Sequence, residues 1–285
     1  MANDISQRIN DFYPTFSKGQ KKIANAILND YDKVAYMTAS KLGAQVGVSE
    51  STVVRFASEL GFEGYSDFQR SVQELVRTKL TPNQRIEVTK QRLGTADVLA
   101  SVMESDINKI RYTLERIDKT TFVKAVDSIL SAKNIYVMGA RSTEALASIL
   151  NYNLSLIFDH VKFIKPTSTA EVFEQMFSIG EDDLLIAFSF PRYSSKMVSA
   201  VKYARQNGAN VVVFTDSVIS PLAEYATCLL TAQSDMASFM DSFVAPISII
   251  NAIIVEITQR REMEITERFD RLEKVWDEFE VYTKR

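Results

Sequence analysis

The sequence predicts two domains of different class: an all-helical N-terminal domain carrying a helix-turn-helix, then a doubly wound parallel-sheet α/β domain that ends in a long helix. Three observations carry this expectation. Apolar residues recur at helical spacing through the first eighty residues. From about residue 120, short β-branched or apolar runs alternate with helical segments. Between these regions lies a polar stretch, Thr81-Pro82-Asn83-Gln84-Arg85, where apolar density falls. The boundaries that follow are 1–80 for the first domain, 81–105 for a linker and 106–285 for the second.

The elements are justified in order. Ser17 can cap a helix through Ile23, Ala24, Ile27 and Leu28, ended by Asn29-Asp30. Thr38 caps the next, with Leu42 and Val46 inward and Gly47 supplying a turn. Ser49 caps a third over 50–60, and Gly61 sits where a left-handed helix stop belongs. A further amphipathic helix covers 66–79, and Pro82 breaks it. In the second domain Ile135-Tyr136-Val137-Met138 reads as a strand ending at Gly139, followed by a helix over 143–158. Further strands are expected at 161–164, 184–188, 211–214 and Cys228-Leu229-Leu230. A helix over 194–206 stops at Gly208, and Ser220-Pro221 opens another. Near the end, Ile265, Phe269, Leu272, Trp276 and Phe279 make one apolar stripe on a helix, packed on its own domain or on a second subunit.

Composition removes several function classes. With 46% hydrophobic and 24% charged residues, the 285-residue chain is globular, and no run of about 18 apolar residues suits a membrane span. The polar, acidic residues 1–4 lack the pattern of a secretory signal, so a cytoplasmic protein is expected. One cysteine, Cys228, forbids an internal disulfide and reads as core packing. One histidine, His160, leaves no pair for a metal and reads as a solvated residue after a helix. Glu181-Asp182-Asp183 reads as a turn before a strand, so no metal or other cofactor is expected. The net charge of −3 neither supports nor opposes DNA binding, since a helix in a groove needs a few placed cations.

The segment 39–56 fits a helix-turn-helix position by position. Leu42, Val46, Val48, Val53 and Phe56 fall where two crossed helices share a small core, and Gly43 lets those helices approach. With these faces inward, Ser49, Glu50, Ser51, Thr52 and Arg55 point outward from the half of the second helix that enters a major groove in such motifs. Arg55 suits a bidentate contact to guanine, and Lys18, Lys21, Lys22 and Lys41 suit backbone phosphates. One such unit reads few bases, so a homodimer or homotetramer on double-stranded DNA with an inverted-repeat operator is expected.

Thr52-Val53-Val54-Arg55-Phe56, with Leu60-Gly61-Phe62-Glu63-Gly64-Tyr65-Ser66-Asp67-Phe68, resembles the N-terminal domain of the RpiR family of bacterial transcriptional regulators. That family joins such a domain to a C-terminal sugar isomerase (SIS) domain that senses phosphosugars, in the order seen here. The resemblance implies a ligand-responsive regulator with an SIS-like sensor and carbohydrate-related effector. An isomerase with a helical appendage is the alternative, disfavoured by the single histidine, because aldose–ketose chemistry needs a positioned base.

In open sheets of this type ligands bind beyond the C-terminal strand ends, here 139–143, 189–195 and 215–217, and the resemblance points to the first two of these loops. The SIS signature resembles G-x-G-x-S and, later, S-x-S-G-x-T. Here Gly139-Ala140-Arg141-Ser142-Thr143 puts Thr143 at the serine position and Arg141 at the second glycine. Ser189-Phe190-Pro191-Arg192-Tyr193-Ser194 keeps Ser189 and Ser194 but replaces serine-glycine by Pro191-Arg192. Gly139, Arg141, Ser142, Thr143, Ser189, Arg192, Tyr193, Ser194 and Ser195 are therefore the candidate effector residues. The hydroxyls and helix N-termini suit phosphate, and the arginines suit phosphate or carboxylate. The competing possibility is that Thr143 and Ser194 only cap helices while the arginines pair with internal carboxylates.

Overall fold

The computed structural model describes residues 5–79, 81–93, 97–165 and 168–283; residues 1–4, discussed above for their polarity, lie outside these. The chain divides into two compact units, residues 1–104 with 235–242, and residues 105–234 with 243–285.

The first unit is helical: α1 (Ile5–Phe12), α2 (Lys18–Val34), α3 (Ala39–Val46), α4 (Glu50–Glu59), α5 (Tyr65–Lys79) and α6 (Pro82–Leu93). Its core holds Ile9, Ile23, Ile27, Leu42, Val53, Phe56 and Phe68, all fully buried, with Val46 and Val48 packed against it. The expected caps form. The Ser17 hydroxyl accepts the Gln20 N–H while the Gln20 side chain accepts the Ser17 N–H at 2.8 Å, and Thr38 and Ser49 cap α3 and α4. The stop expected at Asn29-Asp30 is corrected: Asp30 (φ −130°, ψ 42°) only kinks α2, which continues to Val34. Continuation keeps the apolar stripe inward, since Val34 and the following Ala35 are buried. The described residues within 81–105 are largely helical as well. Pro82 does not open a coil but occupies the first turn of α6, where its missing N–H costs nothing.

The second unit contains α7 (Val98–Arg116, which starts before the division), α8 (Lys119–Ser131), β1 (Ile135–Gly139), α9 (Glu144–Ile157), β2 (Val161–Ile164), α10 (Thr169–Gln175), β3 (Leu184–Phe188), α11 (Ser195–Gln206), β4 (Asn210–Thr215), β5 (Cys228–Thr231), α12 (Val244–Arg260) and α13 (Glu262–Glu278). The five strands are all parallel in the order β2-β1-β3-β4-β5. Successive strand residues feed opposite faces. Ile135, Val137, Ile186, Phe188, Val212 and Phe214 join one core with α8, α9 and α12, whereas Tyr136, Met138, Leu185, Ala187, Val211 and Val213 join the other with α10 and α11. Both faces are thus covered, which is why these strands read as continuous apolar runs.

Two local expectations change. The helix expected after Ser220-Pro221 is one 3₁₀ turn, Ala223–Tyr225, following a turn in which the Ser220 hydroxyl accepts the Leu222 N–H. The stripe on α13 is buried only at its start: Ile265 is 5% exposed, Phe269 packs against the core, and Phe279, just past the helix, is 71% exposed. Cys228 is buried, and burial pushes its thiol pKa up. No helix among the described residues is long and apolar enough to cross a membrane. Among them no group of three or more His, Cys, Asp or Glu side chains could hold a metal ion.

Candidate functional site

In the helical unit, the geometry of α3 and α4 depends on one close approach. A Cβ on Gly43 would lie 2.8 Å from the Val48 carbonyl oxygen, and the Gly43 carbonyl itself accepts the Val48 N–H at 2.9 Å. Gly47 turns the chain between the helices at φ +70°. Ser49, Glu50, Ser51 and Arg55 are all exposed on the N-terminal half of α4. Thr52 is half-buried, and its hydroxyl lies 2.8 Å from that of Ser49. Its methyl would be 3.7 Å from a Cβ on Gly19, so α2 begins beside α4. That contact brings cations to the same end: the Lys22 ammonium is 3.8 Å from where a Gly47 Cβ would sit, and Lys18 is exposed one residue before Gly19. Lys21 is instead half-buried, its ammonium 5.6 Å from the Tyr13 ring. Lys41 is exposed in the first turn of α3.

The exposed face therefore combines hydroxyls, one guanidinium, flanking ammonium groups and the positive end of the α4 dipole, a set suited to phosphates and base edges. Sequence reasoning missed what holds this unit together behind the face. From α5, the Tyr65 hydroxyl and the Gln69 amide both donate to the Met37 carbonyl at 2.8 and 2.7 Å, and Gln73 donates to the Ala35 carbonyl at 2.9 Å. Burial pushes the Tyr65 pKa up to about 12, so it remains a donor. The helical spacing of Tyr65, Gln69 and Gln73 was a visible signal for a shared face, but their carbonyl targets lie in a distant turn.

In the α/β unit, strand order places the loops after β1 and β3 at the point where the winding reverses, the place where ligands bind in open sheets of order 2-1-3-4-5. The first loop folds tightly back on its strand. A Cβ on Gly139 would lie 2.3 Å from the Thr143 carbonyl oxygen, so only glycine fits. Thr143 is buried; its hydroxyl accepts the Ala140 N–H at 3.0 Å and lies within hydrogen-bond reach of the Ala140 and Phe188 carbonyls, at 2.9 and 3.0 Å. Thr143 thus pins the end of β1 to the end of β3, which leaves its hydroxyl engaged by backbone rather than open to a ligand.

The second loop is arranged differently. Ser189 is buried and its N–H donates to the Phe214 carbonyl at 3.0 Å, but its hydroxyl has no hydrogen-bond partner among the described residues. Ser194 stands at the N-cap of α11 without a side-chain capping bond, and Thr143 makes none to α9. Ser142 and Ser195 are exposed. Tyr193 is held by Asp216, accepting its hydroxyl proton at 2.7 Å, and Asp216 is also 3.2 Å from the Thr215 hydroxyl. Asp216 was recognisable only as a strand-end residue, because its partner is 23 positions away.

Arg141 and Arg192 both adopt left-handed backbone, at φ +59° and +54°. Arginine is poorly suited to that region, at a cost of roughly 1–3 kcal/mol for each such residue. Both side chains are exposed, and among the described residues neither has an ion-pair or hydrogen-bond partner. Pairing with internal carboxylates therefore does not explain them.

Comparison with known proteins fits both halves. The helix-turn-helix domain of the rpiR family matches residues 3–79, and the SIS domain matches residues 128–256. An uncharacterised HTH-type transcriptional regulator of Clostridium perfringens is 26% identical over 259 residues, covering 88% of this chain and 91% of its own. The HTH-type transcriptional regulator HexR of Escherichia coli is 22% identical, over 96% and 95% of the two chains. Among solved structures, the Vibrio vulnificus NanR protein complexed with ManNAc-6P superposes with a TM-score of 0.60 at 20% identity, covering 96% of this chain and 98% of that one. The domain content and the regulator names of these relatives speak against an isomerase with a helical appendage. With its N-terminal helix-turn-helix and C-terminal SIS domain, the chain belongs to the RpiR family of transcriptional regulators.

Proposed function

We propose that this regulator binds an inverted-repeat operator as a homodimer or homotetramer and that a small anionic sugar derivative controls it. The α4 face reads the bases. Arg55 faces a guanine, Ser49, Ser51 and Glu50 contact nearby edges or phosphates, and Lys18, Lys22 and Lys41 neutralise the backbone. The effector lies at the β1/β3 switch point. The Ser189 and Ser194 hydroxyls and the first amides of α11 hold its anionic group, Arg141 and Arg192 supply charge, and Thr143 and Gly139 shape the loop. The observation that carries the effector reading is the pair of exposed, unpaired arginines at the reversal of winding. The ligand of the similarly folded NanR, ManNAc-6P, supports the phosphosugar class.

A ligand can move such a protein only if it binds two arrangements with different affinity. Thermal-shift screening against sugar phosphates, followed by DNA-binding titration with each compound that raises Tm, tests the reading. The expected result is a stabilising sugar phosphate that also changes DNA affinity. A panel without any stabilising anion would overturn it.

A further inference from the structure

The two arginines stand where the SIS signature has glycine, and the structure explains what those positions require. Arg141 and Arg192 have the left-handed backbone that glycine adopts freely, so each of these turns is made with a residue ill-suited to it. Asparagine would be the easier replacement for shape alone. A long cation in both places, exposed and unpaired among the described residues, adds charge without any internal partner.

The two charges are not equivalent. Arg192 shares its loop with Ser189, Ser194 and the start of α11, the groups that suit a phosphate. Arg141 stands on the neighbouring strand's loop, across the switch point, beside a threonine whose hydroxyl is already engaged. The Ser189 and Ser194 hydroxyls, the first amides of α11 and the Arg192 guanidinium are enough donors for one phosphate, so the Arg141 charge on the other loop is left for a second anion. A guanidinium takes a second carboxylate or phosphate in two parallel hydrogen bonds, a contact a sugar hydroxyl cannot reproduce.

We infer that the effector carries two anionic groups, the phosphate held on the Arg192 side and a carboxylate or second phosphate read by Arg141. This rests on the effector reading above and narrows its ligand class.

The test compares glucose 6-phosphate with 6-phosphogluconate, which share a six-carbon chain and the 6-phosphate and differ at C1, a ring hemiacetal in the first and an open-chain carboxylate in the second. Fructose 1,6-bisphosphate serves as a second two-anion probe. Titration calorimetry on the full-length protein should show at least one two-anion probe binding about tenfold or more tightly than glucose 6-phosphate. Arg141→Gly should bring those affinities within about twofold, and Arg192→Gly should weaken all three. Glycine suits the left-handed backbone, so both variants should melt at or above the wild-type Tm, and a fall in affinity would not reflect misfolding. Equal wild-type affinity for one- and two-anion probes, or a preference that survives Arg141→Gly, would overturn the inference while leaving a monoanionic effector intact. If none of the three binds at millimolar concentration, the effector reading and this inference fall together.

Discussion

Arg55 is exposed on the outward half of α4, and among the described residues only its Nε approaches a partner, the Ser51 carbonyl at 3.4 Å. Its terminal nitrogens remain available for a base edge. Arg55→Ala should therefore cost about 1–3 kcal/mol at one base pair and relax specificity there, without loss of folding. Lys22→Ala should weaken all DNA similarly and flatten the salt dependence, because a phosphate contact carries no sequence. Anisotropy titrations of matched and single-mismatch duplexes at two salt concentrations separate these outcomes. Tyr65 gives a pH prediction. Its folded pKa of about 12 lies above the ordinary 10, so its neutral form favours the fold. That contribution is complete below pH 10 and is lost as pH rises from 10 to 12. Thermal unfolding across this window should show a steeper alkaline loss for wild type than for Tyr65→Phe. At this scale the sequence was informative for outward residues of a known motif. It could not reveal the left-handed backbone of Arg141 and Arg192, since arginine gives no local sign of φ, nor the engagement of the Thr143 hydroxyl by a carbonyl 45 residues away.

At the scale of elements, the helix-turn-helix tolerates little change where its helices touch. Gly43→Ala would push a Cβ to 2.8 Å from backbone at Val48, and backbone cannot swing aside as a side-chain tip can. We expect this substitution to destabilise the helical unit by about 1–3 kcal/mol, the range for overpacked cores, and to weaken DNA binding through displacement of α4. Urea unfolding followed by circular dichroism measures the first effect; an unchanged midpoint would show that α3 and α4 have room to separate. Strands were legible because a parallel sheet covered on both faces writes itself as short apolar runs, and caps at Ser17, Thr38 and Ser49 were legible because their partners are three residues away. The boundary at Asp30 differed because burial of Val34 and Ala35 carries α2 past its kink, and the one after Ser220 because the Ser220 hydroxyl closes a local turn on the Leu222 N–H instead of capping a longer helix.

At the scale of the molecule, the α/β unit exposes Ile107, Ile110 and Leu114 along α7, at 52%, 38% and 67%, and Val123 on α8 at 41%. Beside them lies an apolar cavity of about 420 Å³ whose lining includes Ile110, Leu114, Ile117, Lys119, Phe122 and Ile249. Large exposed apolar faces mark association surfaces, and the inverted-repeat operator proposed above needs two reading helices, so the proposal predicts the contact between copies on this face. Sedimentation at micromolar concentration should show a dimer or tetramer, and Ile107→Asp with Leu114→Asp should shift it toward monomer. A wild-type monomer, both free and on DNA, would contradict the assignment.

The most direct test joins both domains in one measurement. Duplexes selected by the wild-type protein from a random-sequence pool should converge on an inverted repeat. Affinity for the selected duplex should then change at least tenfold on addition of a sugar phosphate that raises the protein's Tm, and Arg192→Gly should abolish that change while retaining ligand-free DNA affinity. A pool that converges on no sequence, or a selected duplex whose affinity is indifferent to every stabilising anion, would contradict an effector-controlled regulator.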